Sequence, residues 1–301
     1  MINKNRFLHY ITFSEKGSKM LEFLTNFFQR KQIYLFAPIP LSECEIRKPY
    51  LLEREGITDG TVIMLAAPYF TRACLAPDRN VSAYAVSRDY HGFYRELFDE
   101  LLPLLRKTYP NERFAGFADH SPIAELQAAA RAGLGVIGKN GLLITSRYSS
   151  YVFLGELVTT AKIPSKTYPI QSCIGCGKCR RACPMEKIGD CLSAMTQKKG
   201  DLTDAEKEHL LRYGSVWGCD ICQDVCPHTV SAIRAGTIFT PIPYFEQDAI
   251  PHLSLQTLDE MSDATFSERA YAWRGRETIR RNLILSETNE SVFGKGEPCS
   301  N

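Results

Sequence analysis

A chain of 301 residues, 44% hydrophobic and 23% charged, has the composition of an ordinary globular protein with room for one large domain or two smaller ones. Its 36 basic and 34 acidic residues leave a net charge of +2, so overall charge singles out no strongly acidic or basic partner. The longest apolar runs, such as residues 62–67, fall far short of the ~18 residues that suggest a membrane span, and residues 1–10 lack the apolar core of a signal peptide. A soluble, cytoplasmic protein with no membrane partner is the expectation.

In chain order, Met20, Phe23, Leu24, Phe27 and Phe28 recur at helical spacing and predict an amphipathic helix over residues 17–30. Residues 61–67 (TVIMLAA) read as a buried strand ended by Pro68. Phe93, Leu97, Leu101, Leu104 and Leu105 mark a helix over 89–107, with a kink expected at Pro103. Ser121-Pro122 predicts a helix start, continued through 123–131 and ended by Gly133. After the glycines of GLGVIGKNG, residues 142–145 and 151–160 read as strands. Residues 1–165 are therefore expected to form a mixed α+β domain, with a cysteine module over 166–232. Residues 233–301 read as an irregular segment with one short helix near 263–286 and a polar, frayed tail from 287.

Eleven cysteines are present, and eight lie between Cys173 and Cys226. Disulfide scaffolds belong to short secreted chains, so metal binding is the better reading of this concentration, and Cys44, Cys74 and Cys299 read as plain thiols. Cys173, Cys176, Cys179 and Cys183-Pro184 give C-x2-C-x2-C-x3-C-P, the bacterial ferredoxin spacing. Three thiolates on one tight loop reach three irons of one cubane, while the fourth serves the neighbouring cluster. The second half, Cys219, Cys222 and Cys226-Pro227, is one thiol short, and Cys191 supplies it. The assignment is Cys173, Cys176, Cys179 and Cys226 for one [4Fe–4S] cluster, and Cys183, Cys191, Cys219 and Cys222 for the other. Zinc ribbons also use C-x2-C pairs, but they do not need three thiols at successive x2 steps followed by C-P.

The sequence resembles the epoxyqueuosine reductase family. The matching segments are SRDYH at 87–91, Asp119, RAGLG from Arg131, GKN at 138–140, SSYVFLGELVT at 149–159, the eight-cysteine pattern, CLSAMTQKKG at 191–200, WGCDICQDVCP at 217–227 and WRGRETIRRN at 273–282. The resemblance implies an N-terminal cobalamin-binding domain of the reductive-dehalogenase-like type, followed by a two-cluster bacterial ferredoxin-like module and a short helical tail. Full-length members usually end in HEAT-like repeats, which are not expected in a chain that stops soon after residue 282. The implied reaction is two-electron removal of the epoxide oxygen of epoxyqueuosine in tRNA. An external low-potential donor would feed electrons through two [4Fe–4S] clusters to cobalamin. Asp119 matches the proton donor, for which a buried carboxyl is suited. Asn140, Leu143 and Leu154 match positions lining the cobalamin site, and Ser193 a position near the corrin. Ser82 falls where some relatives place a cysteine near cobalt. Asp89-Tyr90-His91-Gly92 begins like the D-x-H-x-x-G pattern of histidine-ligated cobalamin enzymes, but position 94 is Tyr, which implies base-off cobalamin without a histidine ligand.

Lys178, Arg180, Arg181, Lys187, Lys198 and Lys199 concentrate positive charge between Cys173 and Gly200, and Arg274, Arg276, Arg280 and Arg281 surround Trp273 in sequence. Such charge is often no more than a solvated face. With the resemblance, it points to tRNA contact at Gln197, Lys198 and Lys199. Two other readings stand beside this one: a related cobalamin and iron–sulfur reductase acting on a small molecule, and a two-cluster electron-transfer protein without cobalamin.

Overall fold

The computed structural model describes residues 15–185, 191–213 and 215–293, the last six by backbone alone. Lys187, Cys299 and most of the tail expected to fray lie outside the described residues. The elements up to the cysteine module are α1 (Glu15–Arg30), β1 (Phe36–Pro40), α2 (Pro49–Arg54), β2 (Thr61–Pro68), α3 (Ala83–Val86), α4 (Tyr90–Thr108), β3 (Phe114–Phe117), α5 (Glu125–Arg131), β4 (Val136–Ile137), β5 (Leu143–Ile144) and β6 (Val152–Thr159). The module holds α6 (Lys178–Ala182), α7 (Leu192–Thr196), α8 (Asp204–Tyr213), α9 (Ile221–Asp224) and α10 (Pro227–Arg234). The C-terminal part holds α11 (Leu255–Glu260), α12 (Asp263–Ser267) and α13 (Arg276–Phe293).

The central sheet runs β1-β2-β6-β3, and every pairing in it is antiparallel. β2 is buried along its whole length, which is why its sequence is continuously apolar rather than alternating. One face packs Ile63, Leu65 and Leu157 against Met20, Leu24 and Phe27 of α1 and Leu97 and Leu101 of α4. The other packs Val62, Met64 and Val158 against Leu51 of α2 and the alanines of α5. Small residues let α4 lie close on the sheet: a Cβ at Gly116 would sit 2.4 Å from the Phe98 ring, and one at Gly155 would sit 2.6 Å from Tyr94.

Three local expectations change. α5 begins at Glu125 behind Ala124, and no side chain caps it. Ser121 Oγ accepts the Ile123 N–H and donates to Glu156, so this serine fixes the approach to the helix rather than its first turn. The segment expected as one helix over 263–286 is broken: α12 ends at Ser267, a 3-10 turn spans Ala272–Arg274, and α13 starts after Gly275 at a left-handed φ of 85°. Residues 233–301, expected to be irregular with one helix, hold three α-helices among the described residues. Phe245, Leu253, Leu258, Tyr271, Ile279 and Leu283 join the same apolar core as α1 and α4.

Candidate active site and cluster centres

The cluster loop is held to the catalytic part by backbone. Cys173 N donates to Ile137 O at 3.0 Å, and Ile137 N donates to Gln171 O at 2.9 Å. Gly175 and Gly177 take φ of 70° and 71°, which turn the loop so that N–H groups face its own sulfurs. The Gly175 N–H holds the Cys173 thiol below the usual thiol range.

Cys173, Cys176, Cys179 and Cys226 line one small cavity of ≈ 20 Å³, together with Asn140 and Ile144. Cys226 comes from a segment far along the chain, at the foot of α10, so the crossed assignment brings four thiols around one void. Among the described residues no three His, Cys, Asp or Glu side chains close on a single-ion site. The other four cysteines also gather. Burial pushes Cys219 up to about 11, and nearby Cys191 and Cys183 push it in the same direction. Burial pushes Cys222 up to about 12, again with Cys219 and Cys191 beside it. Such thiols ionise when iron binds them, because the metal charge reverses the local preference for the neutral form. Both sets therefore fit the donor chemistry of a cubane cluster. Asn140 joins the two: it lines the first cavity, and its Nδ2 reaches Cys222 Sγ at 4.0 Å.

A second cleft, of ≈ 230 Å³, is lined by Gly141, Leu142, Leu143, Val152, Phe153 and Leu154 together with Tyr90, Asp119 and Glu125. Tyr90 stacks on Phe153 at 4.2 Å with the rings 8° apart, giving the cleft a flat aromatic wall. Asp119 follows β3 and carries a positive φ of 62°, a conformation Asp tolerates better than most residues. Its side chain is 72% exposed, so the burial expected of a proton donor is not found at Asp119 itself. His91 stands across from it, with Nε2 3.7 Å from Asp119 Oδ2 and Nδ1 2.8 Å from Asp89 Oδ1. The Asp89 hydrogen bond raises the imidazole pKa, and Asp119 adds to it. The buried carboxyls belong instead to Glu125 and Glu156, which the sequence reading passed over.

Residues 172–229 match the 4Fe-4S double cluster binding domain family. The chain is 34% identical to an epoxyqueuosine reductase of Gloeobacter violaceus, over 73% of this chain and 71% of that protein. It is 32% identical to that of Lactococcus garvieae, over 76% of this chain and 69% of the relative. A Bacillus subtilis relative, 32% identical, is spanned over 53% of its length. The fold superimposes on a crystal structure of epoxyqueuosine reductase with an epoxyqueuosine-modified tRNA-Tyr stem loop, with a TM-score of 0.72 over 90% of this chain and 81% of that one, at 24% identity. The chain belongs to the epoxyqueuosine reductase family.

As a member of that family the protein is an oxidoreductase carrying a double-cluster domain, and the remaining matched positions can be placed. Leu143 and Leu154 line the cleft, whereas Asn140 lines the neighbouring cysteine cavity. Ser82 lies apart from them. It is buried, and its Oγ donates to Asp220 Oδ1 at 2.6 Å, within a network that includes the Ala83 N–H and Arg79. That network fastens the Cys219–Cys222 segment to the catalytic part. Ser193 Oγ accepts from Gln197 Nε2 at 3.1 Å, and the same amide lies 3.4 Å from Tyr84 Oη. Lys199 is exposed, whereas Lys198 is paired with Glu206 at 2.8 Å and holds that carboxyl down to about 2.

The arginines near Trp273 divide by role. Arg276 donates to Leu258 O and Met261 O, Arg280 pairs with Asp259, and Arg281 donates to Lys198 O. These three secure the C-terminal helices rather than forming one open basic face. Arg274 lies 3.8 Å over the ring of Trp273, which is 59% exposed.

Proposed function

We propose that the protein reduces the epoxide of epoxyqueuosine in tRNA to the alkene of queuosine, with the cysteine module delivering two electrons to the cleft and Asp119 protonating the departing oxygen. The observation that carries this reading is the juxtaposition of Asp119 with an apolar cleft lined by Gly141, the residue after Asn140, whose Nδ2 lies 4.0 Å from Cys222 Sγ. The apolar floor, the flat aromatic wall and the nearby thiols fit a corrin. Asn140, Leu143 and Leu154 would hold it, with Ser82 and Ser193 behind the cluster-facing segments. Bound cobalamin would supply low-valent reducing power that no side chain has.

The chain's own residues supply the rest. Leu142, Leu143, Val152 and Leu154 exclude water from the reacting face, which strengthens every polar contact made there. His91, anchored by Asp89, gives Asp119 a cationic neighbour and a defined orientation. Lys199, Gln197 and the exposed Trp273–Arg274 stack suit a tRNA strand through phosphate contact and base stacking. Lys198 would have to exchange Glu206 for a phosphate. An external low-potential donor and a cytoplasmic setting complete the proposal. No helix among the described residues is long and apolar enough to cross a membrane.

The test is conversion of epoxyqueuosine in tRNA by the reconstituted protein, compared with Asp119→Asn. A loss of ~10²-fold or more is the expected scale for removing a general acid. Wild-type turnover in the variant would refute the role of Asp119, and absence of turnover in the wild type would refute the substrate.

A further inference from the structure

The reaction proposed above needs two protons. When an epoxide becomes an alkene, both C–O bonds break, a C=C bond forms, two electrons enter and the oxygen leaves as water with two protons. Asp119 holds one. The cleft has a second carboxyl, Glu125, and behind it lies Glu156.

Glu156 is fully buried on β6, the strand whose residues 152–154 line the cleft. Its Oε1 accepts a 2.5 Å hydrogen bond from Ser121 Oγ. Glu125, the first residue of α5, lies close enough to Glu156 for the two carboxyls to act on each other, and Asp119 acts on Glu125 as well. Yet Glu125 Oε1 and Glu156 Oε2 are both buried with no donor. Two adjoining buried carboxylates cannot both stay ionised, and one proton between them supplies the hydrogen bond that is otherwise missing. Among the described residues no ion pair neutralises either group. The facing groups are Cys44 and Lys48 between β1 and β2, Tyr90 and Tyr94 of α4, and Asp119. Lys48 acts on Glu125 only as the weakest influence, below that of Asp119.

We propose that Glu125 and Glu156 hold one proton between them as the second proton of the reduction, which Glu125 delivers into the cleft beside Asp119. Delivery leaves two buried charges in contact. Their repulsion and desolvation draw a proton back from the open cleft and reset the pair. Burial is the main cause that raises both carboxyls, and Glu125 raises Glu156 further, whereas the contact with Glu156 acts on Glu125 in the opposite direction. This proposal rests on the epoxide reading for delivery, whereas the shared proton is a property of the chain alone.

The experiment has two arms. Infrared spectra of the wild-type protein at neutral pH should contain the C=O stretch of a buried protonated carboxylic acid, shifted in D2O and absent from a Glu125→Gln, Glu156→Gln double variant. Its absence from the wild type overturns the proposal without any variant having to fold. In the second arm, Glu125→Gln should slow epoxide reduction by ~10²-fold or more, the scale of a general acid. Glu156→Gln should move the alkaline limb of the pH–rate profile to lower pH, because Glu125 without a charged partner gives up its proton sooner. Wild-type rates and profiles in both variants overturn the delivery role. A wild type that shows the carboxyl band but reduces no epoxyqueuosine refutes the substrate reading and the delivery with it, while the shared proton stands.

Discussion

Asp119 and Glu156 divide between them what one buried proton donor would combine. Asp119 is exposed, held by a left-handed backbone and faced by His91. Glu156 is buried and keeps a proton. The separation has a consequence for stability. A carboxyl whose folded pKa is raised stabilises the fold fully below its unfolded pKa, near 4.5, and loses that contribution as pH rises toward its folded value. Across that window one retained proton corresponds to about 1.4 kcal/mol per pH unit. The wild-type melting temperature should therefore fall as pH rises above 4.5, and Glu156→Gln should flatten the decline. Thermal melts of both proteins over a pH series measure this, and parallel curves would show that the pair ionises without resistance. His91 has the same sign from the opposite charge type. Its imidazolium is fully favoured below its ordinary 6.5 and is lost as pH rises through the raised value, which removes the cationic partner of Asp119 on the alkaline side.

At the scale of elements, packing and ligation yield two further outcomes. β6 passes beneath α4 with Gly155 against Tyr94, whose hydroxyl donates to Phe153 O at 3.0 Å. Gly155→Ala forces that ring away and should cost about 1–3 kcal/mol in a denaturant titration, the usual scale of overpacking. Cys191 precedes α7 and lies near Cys219 and Cys222, as the proposed fourth ligand of the second cluster. Cys191→Ala should lower iron from about eight per chain toward about four while leaving the Cys173 loop loaded. Retention of the full iron content would show that another residue completes that cluster. What was legible in the sequence follows periodicity and spacing. α1, β2, α4 and β6 were readable because each buries a regular apolar face, and the cysteine groups because thiol spacing is dictated by a rigid cubane. β1 (FAPIP) was not legible, since two prolines mask an edge strand. The Glu125–Glu156 pair was hidden for a different reason. Its members lie on a helix and a strand far apart in sequence, and each alone reads as an ordinary surface carboxylate. His91 was visible only as part of an incomplete cobalamin pattern, because its partner Asp119 comes from another loop. The arginines of α13 were read as one basic face because the sequence does not show which carbonyls and carboxylates they meet.

For the whole molecule, the C-terminal helices tie the cluster module to the catalytic sheet. Arg269 is almost fully buried and donates to Val86 O at 2.6 Å and Asp248 O at 2.7 Å. Asn282 Nδ2 donates to Thr196 O and Val216 O, both at 2.8 Å, so one amide joins the end of α7 to the strand-like segment that enters Trp217 and Cys219. Trp217 O in turn accepts the Ser82 N–H at 2.7 Å. These contacts place both cysteine groups in register with the cleft, through backbone carbonyls rather than through the thiols themselves. Asn282→Ala leaves two buried carbonyls without a donor, at a cost of about 1–3 kcal/mol. Because the amide bridges two segments of the module, the loss should not be confined to α13. Loss of helical signal and bleaching of cluster absorbance should still coincide on heating, at a temperature lowered by several degrees, as expected for one cooperative unit. Cluster bleaching well before loss of helix in the wild type would mean that the module unfolds on its own and that the shared core of residues 238–283 does not couple it to the sheet.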